Sequence, residues 1–138
     1  MTTSASGASR NTSPPSTPEA EIVPTIRIRP EVKVKLMAGP PDGMKSDSIY
    51  IRRFWVAAIG PGAVADLLRT IRAGQRKQTV TYPIYLHVLV QSGLAAFDGA
   101  RVTVPHPVPL LPPHLVRRLP PALRREHAIW LRLRNRAS

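Results

Sequence analysis

Apolar and polar residues alternate along an early segment of the chain, TIRIRPEVKVKL, which extends from Thr25 to Leu36. Because alternate side chains of a strand point to opposite faces, this pattern predicts β-structure from Ile22 to Met37 with one apolar and one basic face. Pro30 cannot donate a backbone hydrogen bond, so it either lies at a sheet edge or divides the segment into two strands. The basic face is either a nucleic-acid contact or the solvent side of an edge strand, and we favour the second interpretation.

Two helices are predicted after the Gly- and Pro-rich loop AGPPDGMKSD. The first includes IYIRRFWVAAI, and either Ser46 or Asp47 can cap its start. Its apolar stripe, which we expect in the core, consists of Tyr50, Ile51, Phe54, Trp55 and Ala58. The second helix extends from Pro61 to Gly74. Its apolar positions have helical spacing and are Val64, Leu67, Leu68 and Ile71. Its outer face is expected to carry Asp66, Arg69 and Arg72.

A third helix and a hairpin are predicted next. The segment YPIYLHVLVQSG fits a strand as well as a buried helix, because it contains β-branched and aromatic residues. We favour a helix that is capped by Thr81 and ended by Gly93 in a left-handed conformation. The run LAAFDGARVTVP then predicts a β-hairpin, with Asp98-Gly99 as a two-residue turn between apolar arms.

Prolines punctuate the chain after Pro105. The segment HPVPLLPPH is either a polyproline ligand or a stiff strap across the domain, and we favour the strap. A short helix is predicted from Pro113 to Leu119, and a longer one begins at Pro120 or Pro121. At 100° per residue, one arc of this last helix contains Leu123, Ile129, Trp130, Leu131 and Leu133. The other side contains Arg124, Arg125, Arg132 and Arg136.

These elements divide the chain into four regions. Residues 1–20 are rich in Ser, Thr and Pro and predict a disordered tail. Residues 21–45 form the β-segment and loop, residues 46–105 form a helical core with its hairpin, and residues 106–138 form the Pro-rich strap and the basic amphipathic helix. The predicted fold class is α+β and mostly helical. The chain lacks an apolar run of about 20 residues and a signal-peptide pattern, so we expect a cytoplasmic protein that does not bind membranes.

The charge of the chain limits the kinds of partner that it is expected to bind. Twenty Lys and Arg residues oppose eight Asp and Glu residues, which gives a formal net charge of +12 at pH 7. Such a field favours a polyanionic partner, namely DNA, RNA or anionic lipid. The alternative explanation is a genome rich in G and C, which enriches Arg, Ala, Gly and Pro together without a functional cause.

Catalytic signatures are absent from the sequence. The four histidines lack the helical spacing of a zinc protease, and the chain has no Cys to complete a metal site. Phosphate-binding glycine loops and the nucleophile elbow are missing as well. We therefore expect a protein that is not an enzyme and that carries neither a metal nor a cofactor.

The order of helix, helix, basic linker, helix and hairpin between Ser46 and Pro105 resembles a winged helix-turn-helix, a DNA-binding fold. The resemblance covers about half of the chain and implies that the third helix enters the major groove while the hairpin wing contacts the backbone. Tyr85, His87, Gln91 and Ser92 are then the residues that could read base edges. The linker from Gly74 to Thr81 is longer than a tight turn, and the third helix is unusually apolar. His87 lies in a very apolar segment and is most simply a core histidine that is hydrogen-bonded to the backbone.

Phosphate contacts are expected from basic residues near the linker and wing, namely Arg72, Arg76, Lys77 and Arg101. For the linker residues a solvated loop is the alternative, and for Arg101 a cross-strand partner. The last helix could add Arg124, Arg125, Arg132 and Arg136, by docking either on phosphate or on an anionic membrane, and we favour phosphate.

The predicted function is nucleic-acid binding, with double-stranded DNA preferred over RNA, in a small transcription regulator or nucleoid-associated protein. One alternative is an RNA- or ribosome-associated accessory protein. The other is a protein-interaction module whose charge is compositional. A dimer is possible, but the sequence does not determine the oligomeric state.

Overall fold

One mixed sheet and the helices packed on it make up the fold. The computed structural model describes residues 29–137, so the tail predicted at residues 1–20 lies outside it. The strands are β1 (Glu31–Ala38), β2 (Val80–Thr81), β3 (Ala96–Phe97) and β4 (Arg101–His106). Helix α1 combines a π-helical segment (Ile51–Trp55) with an α-helical segment (Val56–Ile59). The other helices are α2 (Pro61–Gln75), α3 (Leu86–Gln91), α4 (Pro113–Val116) and α5 (Pro121–Ala137). The predicted α+β class is confirmed.

The sheet has four strands in the order β2-β1-β4-β3. Strand β1 is parallel to β4, with Lys33 opposite Arg101, and antiparallel to β2. Within the described chain β1 begins directly after Pro30, which agrees with a strand boundary at that proline. Residues 22–28 of the predicted β-segment lie outside the described chain.

Alternation along β1 gives the sheet an inner apolar face. Val32 is buried, and Val34 and Leu36 are partly buried, whereas Lys33 and Lys35 are exposed. Helix α2 packs closely on this inner face, because a Cβ added at Gly74 would lie 2.8 Å from the Leu36 side chain. The basic side chains of β1 therefore lie on the outer face of the sheet.

Helix α1 supplies the centre of the core. Tyr50, Ile51, Phe54 and Trp55 are at most 2% exposed, as the apolar stripe predicts. The side-chain oxygen near the start of the helix belongs to Ser48, which accepts a hydrogen bond from the Tyr50 amide at 3.1 Å. The predicted caps Ser46 and Asp47 are therefore wrong by one or two residues.

In helix α2, Val64, Leu67 and Ile71 are buried as predicted and Leu68 is partly buried, but the prediction for one polar residue is wrong. Asp66 was expected on the outer face, yet it is only 7% exposed. Its Oδ2 accepts a hydrogen bond from the Tyr85 amide at 2.8 Å, and its other oxygen pairs with Arg69. Asp66 is buried because Ala63 and Thr70, three residues before it and four after it, lie on the same covered side of the helix.

The third predicted helix is shorter than expected. Helix α3 contains only six residues, and Thr81, the predicted cap, belongs to β2. The Thr81 hydroxyl donates instead to the Glu31 carboxylate at 2.7 Å. Gly93 does adopt a left-handed conformation after the helix, with φ of 80°.

The predicted hairpin is present as β3 and β4, but its turn is displaced by one residue. Phe97 pairs with Val102, and the Asp98 amide donates to the Arg101 carbonyl at 3.3 Å, so the turn is centred on Gly99-Ala100 instead of Asp98-Gly99. The Asp98 Oδ1 accepts hydrogen bonds from the amides of Ala100 and Arg101 at 2.9 and 2.8 Å. This side chain therefore stabilises the turn.

The Pro-rich segment packs on the domain as a strap. Val108 forms a β-bridge with Met44, and the Pro109 carbonyl accepts a hydrogen bond from the Trp55 indole at 2.9 Å. The Leu111 amide donates to the Tyr50 hydroxyl at 2.9 Å. Since these backbone groups are used inside the domain, the strap interpretation is favoured over an exposed ligand.

Helix α5 lies on α1 through an aromatic cluster. His127 is 2% exposed and its Nε2 lies 2.7 Å from the Tyr50 hydroxyl, and the Trp130 ring packs 4.7 Å from the Tyr50 ring. Ile129 and Leu133, which were assigned to the apolar arc, are 46% and 59% exposed. The buried side of α5 is therefore rotated from the predicted arc and is centred near His127.

Candidate nucleic-acid interface

A continuous row of basic side chains follows the outer side of α2. Arg69, Arg72 and Arg76 are exposed and line one groove beside β2. They occupy positions i, i+3 and i+7, which lie on one side of an α-helix. The three guanidinium groups therefore face the same region of solvent.

Neighbouring elements extend this row. Lys33 of β1 and Lys77 line a second groove, which shares Gln78 and Thr79 with the first. Arg52 of α1 lines a third groove together with Arg72. Because adjoining grooves share lining residues, the cations form one surface. We call it the α2 basic surface; its members are Lys33, Arg52, Arg69, Arg72, Arg76 and Lys77.

The end of α2 fixes the position of Lys77. The Gln78 amide donates to the Ala73 carbonyl at 2.8 Å, and the Lys77 amide donates to the Gly74 carbonyl at 3.2 Å. These two hydrogen bonds form a Schellman motif, whose left-handed position is usually glycine. Here Lys77 occupies it, with φ of 56°. A strained, charged residue at this position is an observation that points toward function.

Most cations of the α2 basic surface have no internal partner. Arg69 pairs with Asp66. In the part of the chain that the structure describes, the other five members form no side-chain hydrogen bond or ion pair. Glu31 lines the same groove, but the hydroxyls of Thr79 and Thr81 donate to it and lower the pKa of its carboxyl group. The surface thus keeps a positive excess that an external anion can neutralise.

Arg101 adjoins this surface on the outer face of the sheet. It lies opposite Lys33 in the parallel register, and both side chains are exposed. Like charges opposite each other on a sheet are unfavourable, so this pair also favours an external anion. Backbone hydrogen bonds from Ala100 and Arg101 lower the pKa of the Asp98 carboxyl group, and the charge of Arg101 adds a smaller effect in the same direction.

The predicted base-reading residues lie on or beside α3. Tyr85, His87 and Gln91 are exposed, so the interpretation of His87 as a core histidine is wrong. The Tyr85 ring covers the start of α2, since a Cβ added at Gly62 would lie 2.6 Å from it. No Lys or Arg occurs in α3, and Val90 beside His87 is 43% exposed. The outer side of α3 is thus neutral and partly apolar.

The predicted arginines of α5 divide into two groups. The Arg124 guanidinium donates a hydrogen bond at 3.0 Å to the carbonyl of Leu119, in the segment between α4 and α5. Arg125, Arg132 and Arg136 are exposed on the outward side of α5. This helix joins the domain through α1, where Glu126 pairs with Arg53. None of these arginines lines the three grooves of the α2 basic surface.

Sequence reasoning missed three members of the α2 basic surface. Arg69 has helical spacing with Arg72 and Arg76, and this spacing could have identified it as a phosphate-contacting residue. Lys33 was predicted to lie on the solvent-exposed side of a strand. The sequence does not indicate that it lies near Lys77, because this depends on the packing of two distant segments. Arg52 lies in α1, and its position beside Arg72 depends on how α1 packs against α2.

Comparisons with protein-family models, with curated proteins and with solved structures found no match. Among residues 29–137, no group of His, Asp and Glu side chains is arranged to hold a metal ion. None of the helices in that range is both long and apolar enough to cross a bilayer.

Proposed function

We propose that this chain binds double-stranded DNA through phosphate contacts made by the α2 basic surface. The observation that carries the proposal is a set of five cations on adjoining grooves that have no internal partner among residues 29–137. Counterions released from DNA when such cations meet phosphates supply most of the affinity of non-specific binding. The predicted residues Arg72, Arg76 and Lys77 belong to this surface, and Arg101 adjoins it.

Recognition is proposed to depend on the backbone rather than on base sequence. The grooves of the α2 basic surface contain no aromatic residue, so they offer no platform on which unpaired bases could stack. Helix α3 lacks the Arg or Lys residues that commonly read guanine. Both features favour a duplex backbone over a single strand and over a defined site.

The winged-helix resemblance supports the same proposal at the level of the fold. Helices α1, α2 and α3 precede the β3–β4 hairpin in the expected order. The added strand β1 lies between β2 and β4, which places basic residues of β1 beside the end of α2. In this proposal α2 and the sheet, more than α3, face the DNA.

The proposal is tested with two pairs of substitutions that remove equal charge. Arg72→Gln with Arg76→Gln neutralises the centre of the α2 basic surface, and Arg125→Gln with Arg132→Gln neutralises the outward side of α5. Binding of a random-sequence duplex is measured by fluorescence anisotropy across a salt series. The α2 pair is expected to flatten the slope of log K against log salt by about 1.8 units. The α5 pair should flatten it less.

Two results would overturn the proposal. An unchanged slope in the α2 pair removes that surface from the interface. Equal losses in both pairs show a general effect of net charge and no defined site. Preference for structured RNA over the duplex in the same assay would favour an RNA-associated role.

A further inference from the structure

A separate cleft lies between α1, α3 and α4. Its volume is about 330 Å³, at the small end of the range for ligand sites in proteins. Val88 and Ser92 contribute the α3 side, Ile59 the end of α1, and Leu115 and Arg118 the α4 side. None of these residues belongs to the α2 basic surface.

The cleft has an apolar floor and a polar rim. Leu115 is 3% exposed, and Ile59 and Val88 are partly buried, so these three side chains form the floor. Gln91, His114 and Arg118 are exposed and line the same cleft. The cleft thus offers an apolar surface and polar groups side by side, which suits a ligand that has both an apolar and a polar part.

The polar groups of the rim are available to a ligand. Over residues 29–137, the side chains of Gln91, His114 and Arg118 form no hydrogen bond or ion pair. By contrast Arg53, Arg69 and Arg124 are all held by acceptors inside the domain. No Asp or Glu lines the cleft, so the charge of Arg118 is not compensated there.

We propose that this cleft binds a small monocarboxylate with a compact apolar body, such as an aromatic or branched aliphatic acid. A guanidinium group binds a carboxylate through two parallel hydrogen bonds, and His114 and Gln91 can donate further ones. Arg118 is the one permanent charge in the cleft, which matches a monoanion. The floor disfavours an ion without an apolar part, since its polar atoms would lose hydration there. This site is independent of the proposed DNA binding.

The test uses the full chain and the probes benzoate and isovalerate, with benzyl alcohol and inorganic phosphate as comparisons. Amide resonances are followed by NMR during each titration. At least one of the two carboxylates is expected to cause saturable shifts around Val88, Ser92 and Leu115, with a dissociation constant in the millimolar range for so small a ligand. Benzyl alcohol and phosphate are expected to bind more weakly.

Two adjacent arginines give a matched pair of variants. Arg118→Gln removes the charge in the cleft and should weaken carboxylate binding about tenfold. Arg117→Gln removes an exposed charge one residue earlier that does not line the cleft, and it should leave binding unchanged. Absence of saturable shifts with both carboxylates overturns the proposal. Equal effects of the two substitutions, or benzyl alcohol binding as tightly as benzoate, would also overturn it.

Discussion

Replacing Lys77 by Gly should make the domain more stable and its binding to DNA weaker. Lys77 occupies the left-handed position of the motif that ends α2, with φ of 56°. That conformation costs a non-glycine residue about 1–2 kcal/mol. Glycine avoids this cost, but it makes the unfolded chain more flexible, which lowers the free energy of unfolding by about 0.5–1 kcal/mol. The free energy of unfolding should therefore rise by about 0.5–1 kcal/mol in Lys77→Gly.

Lys77→Gln is the matched control, because it removes the charge and keeps the strained backbone. Both variants should flatten the salt slope of duplex binding by about 0.9 units. Urea unfolding followed by circular dichroism gives the stability of each variant. If Lys77→Gly is no more stable than Lys77→Gln, the left-handed backbone at this position carries no strain and the prediction is wrong. Unchanged DNA binding in both variants would remove Lys77 from the interface.

Three further predictions concern the core. Tyr50→Phe should lower the free energy of unfolding by about 2–4 kcal/mol, because it leaves the Leu111 amide and the His127 ring without their buried partner; a loss below about 1 kcal/mol in urea unfolding would contradict this. Burial lowers the pKa of His127 in the folded state, so below about pH 6.5 the unfolded chain binds more protons than the folded chain. The free energy of unfolding should therefore fall as the pH decreases below about 6.5, by at most about 1.4 kcal/mol per pH unit. His127→Gln should weaken this dependence, and an unchanged pH profile would refute the assignment. Gly39→Ala should lower the free energy of unfolding by about 3 kcal/mol or more, because the new Cβ would lie 1.8 Å from the Pro107 carbonyl oxygen. A melting temperature equal to that of the wild type would contradict this prediction.

The hydrogen bonds around Tyr50 explain why this position is sensitive. The Leu111 amide donates to the Tyr50 oxygen, and the Tyr50 hydroxyl can then donate to Nε2 of a neutral His127. Burial raises the pKa of Tyr50 to about 12, so its hydroxyl stays protonated at neutral pH. The tyrosine thus connects α1, the strap and α5 through one oxygen atom.

Local pattern was sufficient for the helices and strands with strong periodicity. The spacing of Val64, Leu67 and Ile71 predicted α2, and alternation predicted β1 with its inner and outer faces. Helix α5 begins at Pro121, one of the two prolines predicted for its start. In each case the signal lies within one element and depends on its own period.

Features that depend on distant contacts were not predicted. The buried Asp66 accepts a hydrogen bond from the Tyr85 amide, nineteen residues later in the chain. His127 is buried because the Tyr50 hydroxyl lies across the domain, 77 residues earlier in the chain. The α2 basic surface likewise depends on β1 lying beside the end of α2. A helical wheel or a residue count contains none of these pairings.

The salt dependence of duplex binding by the unaltered chain tests the central proposal most directly. Log K for a random-sequence duplex is plotted against log salt concentration. Five cations of the α2 basic surface have no internal partner in the described chain, and each neutralised phosphate contributes about 0.9, so the expected slope is about −4.5. A slope shallower than about −1, or no binding at low salt, would contradict DNA binding through this surface.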